Sequence, residues 1–121
     1  MLLDSNVLIA CLAGEDAVKR FVMASREQHL SLFVSVISVA ELTSFSSITE
    51  IDLVRIQSFA DEFLLLQIDR GIAEAAGQLR RKYSLSLPDA LIAATASVRH
   101  LPLVTRDKKL LKLKEITVRA I

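Results

Sequence analysis

From its first residue to its last, the chain alternates short apolar runs with longer stretches of helical periodicity. Residues 1–3, 30–37, 63–68, 101–104 and 116–118 are too short for apolar helices and read as strands. Between them, Val18, Phe21 and Val22 form one stripe of a helix over 17–28. Leu53, Ile56 and Ala60 repeat the spacing, as do Ile72, Ala75, Ala76 and Leu79. A helix after each strand returns the chain to the edge where that strand began, so successive strands run parallel with helices over both faces. The run "LLLQI" has no polar alternation, as expected of a strand covered on both sides. The expectation is an α/β sandwich around a parallel sheet, whose ligands sit beyond the carboxyl ends of the strands.

A length of 121 residues sets the scale at one domain, 1–121. Two prolines, three glycines and 52% hydrophobic residues exclude a disordered chain. No apolar run approaches the roughly 18–20 residues of a membrane helix, and the start lacks the features of a secretory signal. A cytoplasmic location is expected. Cys11, the single cysteine, excludes an internal disulfide and a Cys-rich zinc site, which leaves it a packing role. A net charge of +1 gives no overall field to draw nucleic acid. Such binding must use a local patch: Arg80, Arg81 and Lys82, or Arg106, Lys108, Lys109, Lys112 and Lys114. Charge runs of this kind also occur as plain solvated faces.

The acids separate by context. Asp4 ends the first strand in "MLLDSNVLIACL", where it can cap the following helix or face a ligand beyond the strand. Glu41 lies in "SVISVAEL", three residues after Ser38 at capping-box spacing, so a cap and a functional role both fit it. Asp107, in "LVTRDKKLL", can serve the first turn of a short helix. Caps gather at one edge of any parallel sheet, because each helix starts where a strand ends. Asp69, directly after "LLLQI", and Asp52, three residues after Thr49, are read as caps only.

Asp89 differs. It stands early in "LPDALIAATA", on a helix that follows no strand, with Pro88 suited to the first helical position. Leu91, Ile92, Ala93 and Ala94 leave that helix little polar surface, so the carboxylate is expected to enter a pocket at the sheet edge. An acid in such surroundings needs a cap, a partner or a metal. Asp4, Glu41 and Asp89, with Asp107 nearby, place three or four negative charges in a small volume, where each raises the pKa of the others. A hard divalent cation relieves this. Oxygen ligands without a nearby histidine suit Mg²⁺ or Mn²⁺, and such ions suit phosphoryl chemistry.

"LLDSNVLI", "SVISVAEL", "LPDALIAATA" and "LVTRDKKLL", in that order, resemble the motifs of PIN-domain ribonucleases over essentially the whole chain. The chain most resembles the small PIN proteins that act as toxins in VapBC toxin–antitoxin modules. The resemblance implies a Rossmann-like three-layer α/β/α sandwich and a Mg²⁺- or Mn²⁺-dependent endoribonuclease that cleaves RNA with metal-activated water. It also implies a homodimer and a cognate antitoxin. By position, Asp4, Glu41 and Asp89 match the family's three acidic metal-site residues, and Asp107 falls at or near the fourth. Ser5, Asn6 and Thr105 match the supporting polar residues, Asn6 to orient Asp4 and Asp107, and Thr105 to hold a carboxylate or a water of the metal. Arg106, Lys108 and Lys109, beside Asp107, become candidates for gripping the RNA backbone. Leu110 is a departure, since many relatives carry an acid three residues beyond the Asp107 position. "KYSLSLPD" is another, replacing a longer, glycine-containing approach to the third acid. With five Phe and one Tyr as the only aromatics, the RNA target is not legible.

Other classes fit less well. A receiver-type phosphoacceptor signalling domain needs paired acids after the first strand and a phosphoacceptor after the third, where this chain has Asp4 alone and the capping Asp69. A phosphatase with an aspartyl nucleophile needs a second Asp where Asn6 stands. A catalytically weak PIN-fold binding protein is the remaining alternative, against which the acids at 4, 41 and 89 speak. Residues 42–60, with Phe45, Ile48, Ile51, Leu53, Ile56 and Phe59, carry more apolar surface than a crossover usually needs. Core packing takes most of it, and a groove for a partner helix is the further possibility.

Overall fold

The computed structural model describes residues 1–121. Five parallel strands, β1 (Leu2–Leu3), β2 (Phe33–Ser35), β3 (Leu64–Leu66), β4 (Leu103–Thr105) and β5 (Val118–Ala120), form one sheet in the order β3-β2-β1-β4-β5. Helices α1 (Ser5–Leu12) and α2 (Asp16–Glu27) join β1 to β2, and α3 (Val36–Leu42) and α4 (Glu50–Ala60) join β2 to β3. Helices α5 (Arg70–Tyr83) and α6 (Leu87–Val98) join β3 to β4, and a 3-10 turn at Leu110–Lys112 precedes β5.

The order explains the layers. The chain steps outward from β1 to β3, then returns past β1 to β4. Right-handed crossovers put helices on opposite faces when the direction of winding reverses. Alternate strand residues follow suit. Leu2 and Leu103 pack with Ile72, Ala76, Ile92 and Ala93 of α5 and α6. Leu3, Val34 and Val104 pack with Val7, Val18, Val22, Leu42 and Ile56 of the first four helices. Each fully buried aliphatic side chain of this kind is worth roughly 1.5–3 kcal/mol. Helix α6 is buried nearly all round through Ala90, Ile92, Ala93, Ala94, Thr95 and Ala96, as its sequence indicated.

Two expectations are corrected. Residues 36 and 37 are helical because Ser35, not Ser38, starts α3, its Oγ accepting the Ile37 N–H at 3.1 Å. "LLLQI" is not covered on both sides. Its strand β3 is the sheet edge, where Leu64 is 53% and Leu65 48% exposed.

The two acids read as caps are caps. Asp52 closes a full box, accepting the Thr49 N–H at 3.1 Å while its own N–H reaches Thr49 Oγ1. Asp69 Oδ1 accepts the Ile72 N–H at 2.8 Å. Replacing Asp69 with Ala is expected to cost about 1 kcal/mol in thermal denaturation. An unchanged melting temperature would show that this cap contributes nothing to the fold.

Candidate active site

The winding reverses between β1 and β4, where an open α/β sheet leaves its crevice. Leu3 pairs with Val104, so the next residue of each strand, Asp4 and Thr105, stand side by side at the carboxyl edge. Both share the side-chain parity of Leu2 and Leu103, which face α5 and α6. Asp4 is only 3% exposed. Its Oδ1 accepts the Ser5 N–H at 2.8 Å and its Oδ2 accepts the Thr105 hydroxyl at 2.5 Å. Asp4 therefore caps α1 with one oxygen and turns the other to the end of β4.

Thr105 is the hub of the site. Besides donating to Asp4, its Oγ1 accepts from the Asp107 N–H at 3.0 Å and from Asn6 Nδ2 at 3.4 Å. Asn6 Oδ1 also takes the Arg106 N–H at 3.3 Å. Asn6 thus clamps the end of β4 and steadies Asp4 through Thr105, rather than touching Asp4 or the Asp107 carboxylate.

Glu41 enters from α3. Ser5 Oγ lies 2.7 Å from Glu41 Oε1 and 2.9 Å from Ser38 Oγ. One hydroxyl has one proton, and the carboxylate is the stronger acceptor. Ser5 therefore donates to Glu41, and Ser38 supplies the other contact. The spacing of Ser38 and Glu41 reflects a shared polar face turned toward Ser5, not a capping box. Ser38 was missed as a site residue because box spacing gave it another role. The available signal was a polar pair three apart in an otherwise apolar helix.

Asp89 lies in the first turn of α6, one position deeper than Pro88, which occupies the second helical place behind Leu87. Ser86 caps the helix by accepting the Asp89 N–H at 3.3 Å. Ser86 and Asp89 share the spacing of Thr49 and Asp52, yet only Asp52 returns its carboxylate to the cap residue. The Asp89 carboxylate makes no such bond, and its charge acts on Asp4.

These charges act on one another. Burial above all, then the nearby Asp89 and Glu41, push the Asp4 carboxyl up to about 6, against the pull of its Thr105 and Ser5 bonds. None of the five ion pairs in the molecule involves Asp4, Glu41 or Asp89. Asp4 is thus a buried carboxylate with two like charges beside it and no protein cation paired with it. No three acidic, histidine or cysteine side chains draw close enough to cage an ion by themselves. The donor set is carboxylate and hydroxyl oxygen, and His29 and His100 sit in left-handed turns after α2 and α6. Such a set fits a small hard cation that keeps several waters.

Asp107 is placed differently. Its Oδ1 accepts the Lys109 N–H at 2.8 Å and its carbonyl takes the Leu110 and Leu111 N–H groups, so it caps the turn into the 3-10 segment. It does not figure among the charges acting on Asp4. Leu110, at the departure position, is wholly buried in the α5–α6 core. Of the three cations beside it, Lys108 and Lys109 are exposed and in no ion pair, while Arg106 is forked onto both carboxylate oxygens of Glu15.

A buried aspartate with two further acids near it at the reversal point of a five-stranded parallel sheet, with these motifs in this order, is the arrangement of a PIN domain. The chain belongs to that family: the PIN domain model matches residues 1–116. Among individual proteins, it is 36% identical over 110 residues to Ribonuclease VapC10 of Mycobacterium tuberculosis (strain ATCC 25618 / H37Rv), a match spanning 87% of this chain and 80% of that one. A toxin–antitoxin complex from Klebsiella pneumoniae contains a chain that superposes with a TM-score of 0.79 at 28% identity, covering 96% of this chain and 94% of the other. VapBC2 from Rickettsia felis, bound to a DNA fragment from their promoter, superposes with a TM-score of 0.87 at 18% identity, covering 99% and 97%, a likeness of fold alone.

Proposed function

We propose that this chain is a metal-dependent endoribonuclease, the toxin of a toxin–antitoxin pair, that uses Mg²⁺ or Mn²⁺ at Asp4, Glu41 and Asp89. One observation carries the reading: Asp4 is buried at the reversal point of a PIN-domain sheet with Glu41 and Asp89 charged against it and no protein cation to balance them. When bound, the ion supplies Lewis-acid activation of water and offsets charge at the phosphodiester. The chain's own residues do the rest. Asp4 and Asp89 provide the charge that holds the ion, and Glu41 joins them directly or across a water. Ser5 fixes Glu41, Thr105 fixes Asp4, and Asn6 fixes Thr105. Asp107 offers the ion only one oxygen, since the other holds the Lys109 turn.

Lys108 and Lys109 are the cations available to an RNA phosphate, and Arg106 joins them by leaving Glu15. That exposed pair holds the Glu15 carboxyl below its ordinary range and the Arg106 guanidinium above its own. Exposed pairs exchange partners readily. Glu15→Gln is therefore expected to tighten RNA binding at low salt and to steepen its salt dependence by about one phosphate contact. An unchanged slope in filter-binding assays would make the pair a strut between β4 and the α1–α2 turn.

The excess apolar surface of residues 42–60 has a place in this reading. Ile9 and Leu12 of α1 face Phe45, Ile48 and Ile56 across a groove of about 260 Å³, with Asp52 and Arg55 at its rim. We assign this groove to an apolar helix face of the antitoxin. The activity is tested by incubating RNA with the chelator-stripped protein, with and without Mg²⁺ or Mn²⁺. Cleavage only with added ion supports the reading, and cleavage in the stripped protein would overturn its metal dependence.

A further inference from the structure

A second recess adjoins the acids. Helix α3 and the first turns of α6 enclose a cleft of about 330 Å³. Ile37, Ala40 and Glu41 line one side, at the three- and four-residue spacing of one α3 face. Leu87, Pro88 and Leu91 line the other. The remaining polar neighbour, Ser44, turns its hydroxyl back onto the Glu41 carbonyl at 2.9 Å. The cleft is thus apolar except at Glu41, and Glu41 is the residue that Ser5 ties to the acid pocket. Glu41 thus belongs both to the cleft and to the acid cluster. Leu87 holds the rim, 51% exposed at the first position of α6.

We propose that this cleft is a subsite for an unpaired purine base of the RNA substrate, the base next to the phosphodiester held at the acids. The inference rests on the ribonuclease reading above. A backbone laid across Asp4, Glu41 and Asp89 sends its neighbouring base past Glu41 into the cleft. RNA recognised in single strands splays its bases onto apolar surface. Leu87, Pro88 and Leu91 offer such surface in a chain with few aromatics to stack on. The volume lies at the lower end of the roughly 300–1,000 Å³ of small-ligand pockets. With no inward donor or acceptor other than the Glu41 carboxylate, the cleft selects by size and desolvation, and a purine covers more of its wall than a pyrimidine.

The test uses the full chain, Mn²⁺ and a pool of RNAs randomised in sequence, with product ends sequenced for wild type and Leu87→Ser. Leu87 is exposed, so the variant folds, and circular dichroism verifies this. Wild-type products are expected to show a purine at one position beside the cut. Leu87→Ser is expected to lose that preference and about tenfold in kcat/KM. An abasic residue at that position should slow the wild type to the same extent and slow Leu87→Ser no further. No purine preference in the wild type, or one that survives in Leu87→Ser, overturns the subsite while leaving the nuclease reading standing. An uncut pool with the wild type overturns the nuclease reading, and the subsite with it. A wild-type dimer that Leu87→Ser converts to a monomer in sedimentation would make the cleft a face between copies and overturn the subsite.

Discussion

Asp89→Asn is expected to lower ion-dependent RNA cleavage by about 10³-fold or more while the protein stays folded. The factor follows from the several kcal/mol that a bound divalent ion contributes to phosphoryl chemistry, at about 1.4 kcal/mol per tenfold. Asp89 and Asp52 have the same position in their helices and the same spacing from a hydroxyl cap, and in the sequence only the apolar helix around Asp89 sets the two apart. The structure divides them: Asp52 returns its carboxylate to Thr49, and Asp89 leaves its own beside Asp4. Calorimetric titration of Mn²⁺ into chelator-stripped wild type and Asp89→Asn reads the ion directly, with binding expected in the first and lost in the second. The melting temperature of the ion-free variant should rise, because relief of repulsion at a buried, uncompensated Asp4 exceeds the roughly 0.3–1 kcal/mol of a helix-dipole contact. A lower melting temperature with cleavage and Mn²⁺ binding retained would return Asp89 to an ordinary helix start.

Without metal, the protein is expected to lose stability as pH rises through the range in which the Asp4 carboxyl ionises. The folded pKa of about 6 lies above the reference value of 3.8. Between the two the native state holds the proton that the unfolded chain has released, so stability falls as pH rises and levels off above about 6. At 1.36 kcal/mol per unit, the loss attributable to Asp4 is about 3 kcal/mol. Exposed carboxylates contribute to the same curve, so the measured quantity is the difference between wild type and Asp4→Asn in urea unfolding at pH 4, 5, 6 and 7. Mn²⁺ should restore the wild type at pH 7 and leave Asp4→Asn unmoved. Parallel pH curves for the two proteins, without metal, would show that Asp4 ionises at no cost and remove the electrostatic argument for a cation.

Much of the architecture was legible because its causes are local. Short apolar runs between amphipathic stretches read as a parallel α/β sheet, and strand ends fell within a few residues of their expected places. The exceptions are informative. The second strand stops early because Ser35 caps α3, a choice between two serines three residues apart that periodicity does not make. The "LLLQI" strand looked interior because its residues are apolar, but strand order, a long-range property, puts it at the edge. Arg106 read as a free phosphate ligand, and Glu15, ninety-one positions away, occupies it.

Spacing and residue type alone determined that an α/β fold around a parallel sheet would form and that Asp4, Glu41 and Asp89 would be carried by three different segments. They also marked Asp52 and Asp69 as caps, since an N-cap bond joins residues two or three apart. Tertiary structure alone decided which acids share a field. The pairing of Leu3 with Val104 sets Thr105 beside Asp4, Ser5 reaches Glu41 across thirty-six positions, and Asp107 turns to its own backbone. Charge repulsion and burial depend on distance through space, and distance through space is set by the order in which the strands assemble.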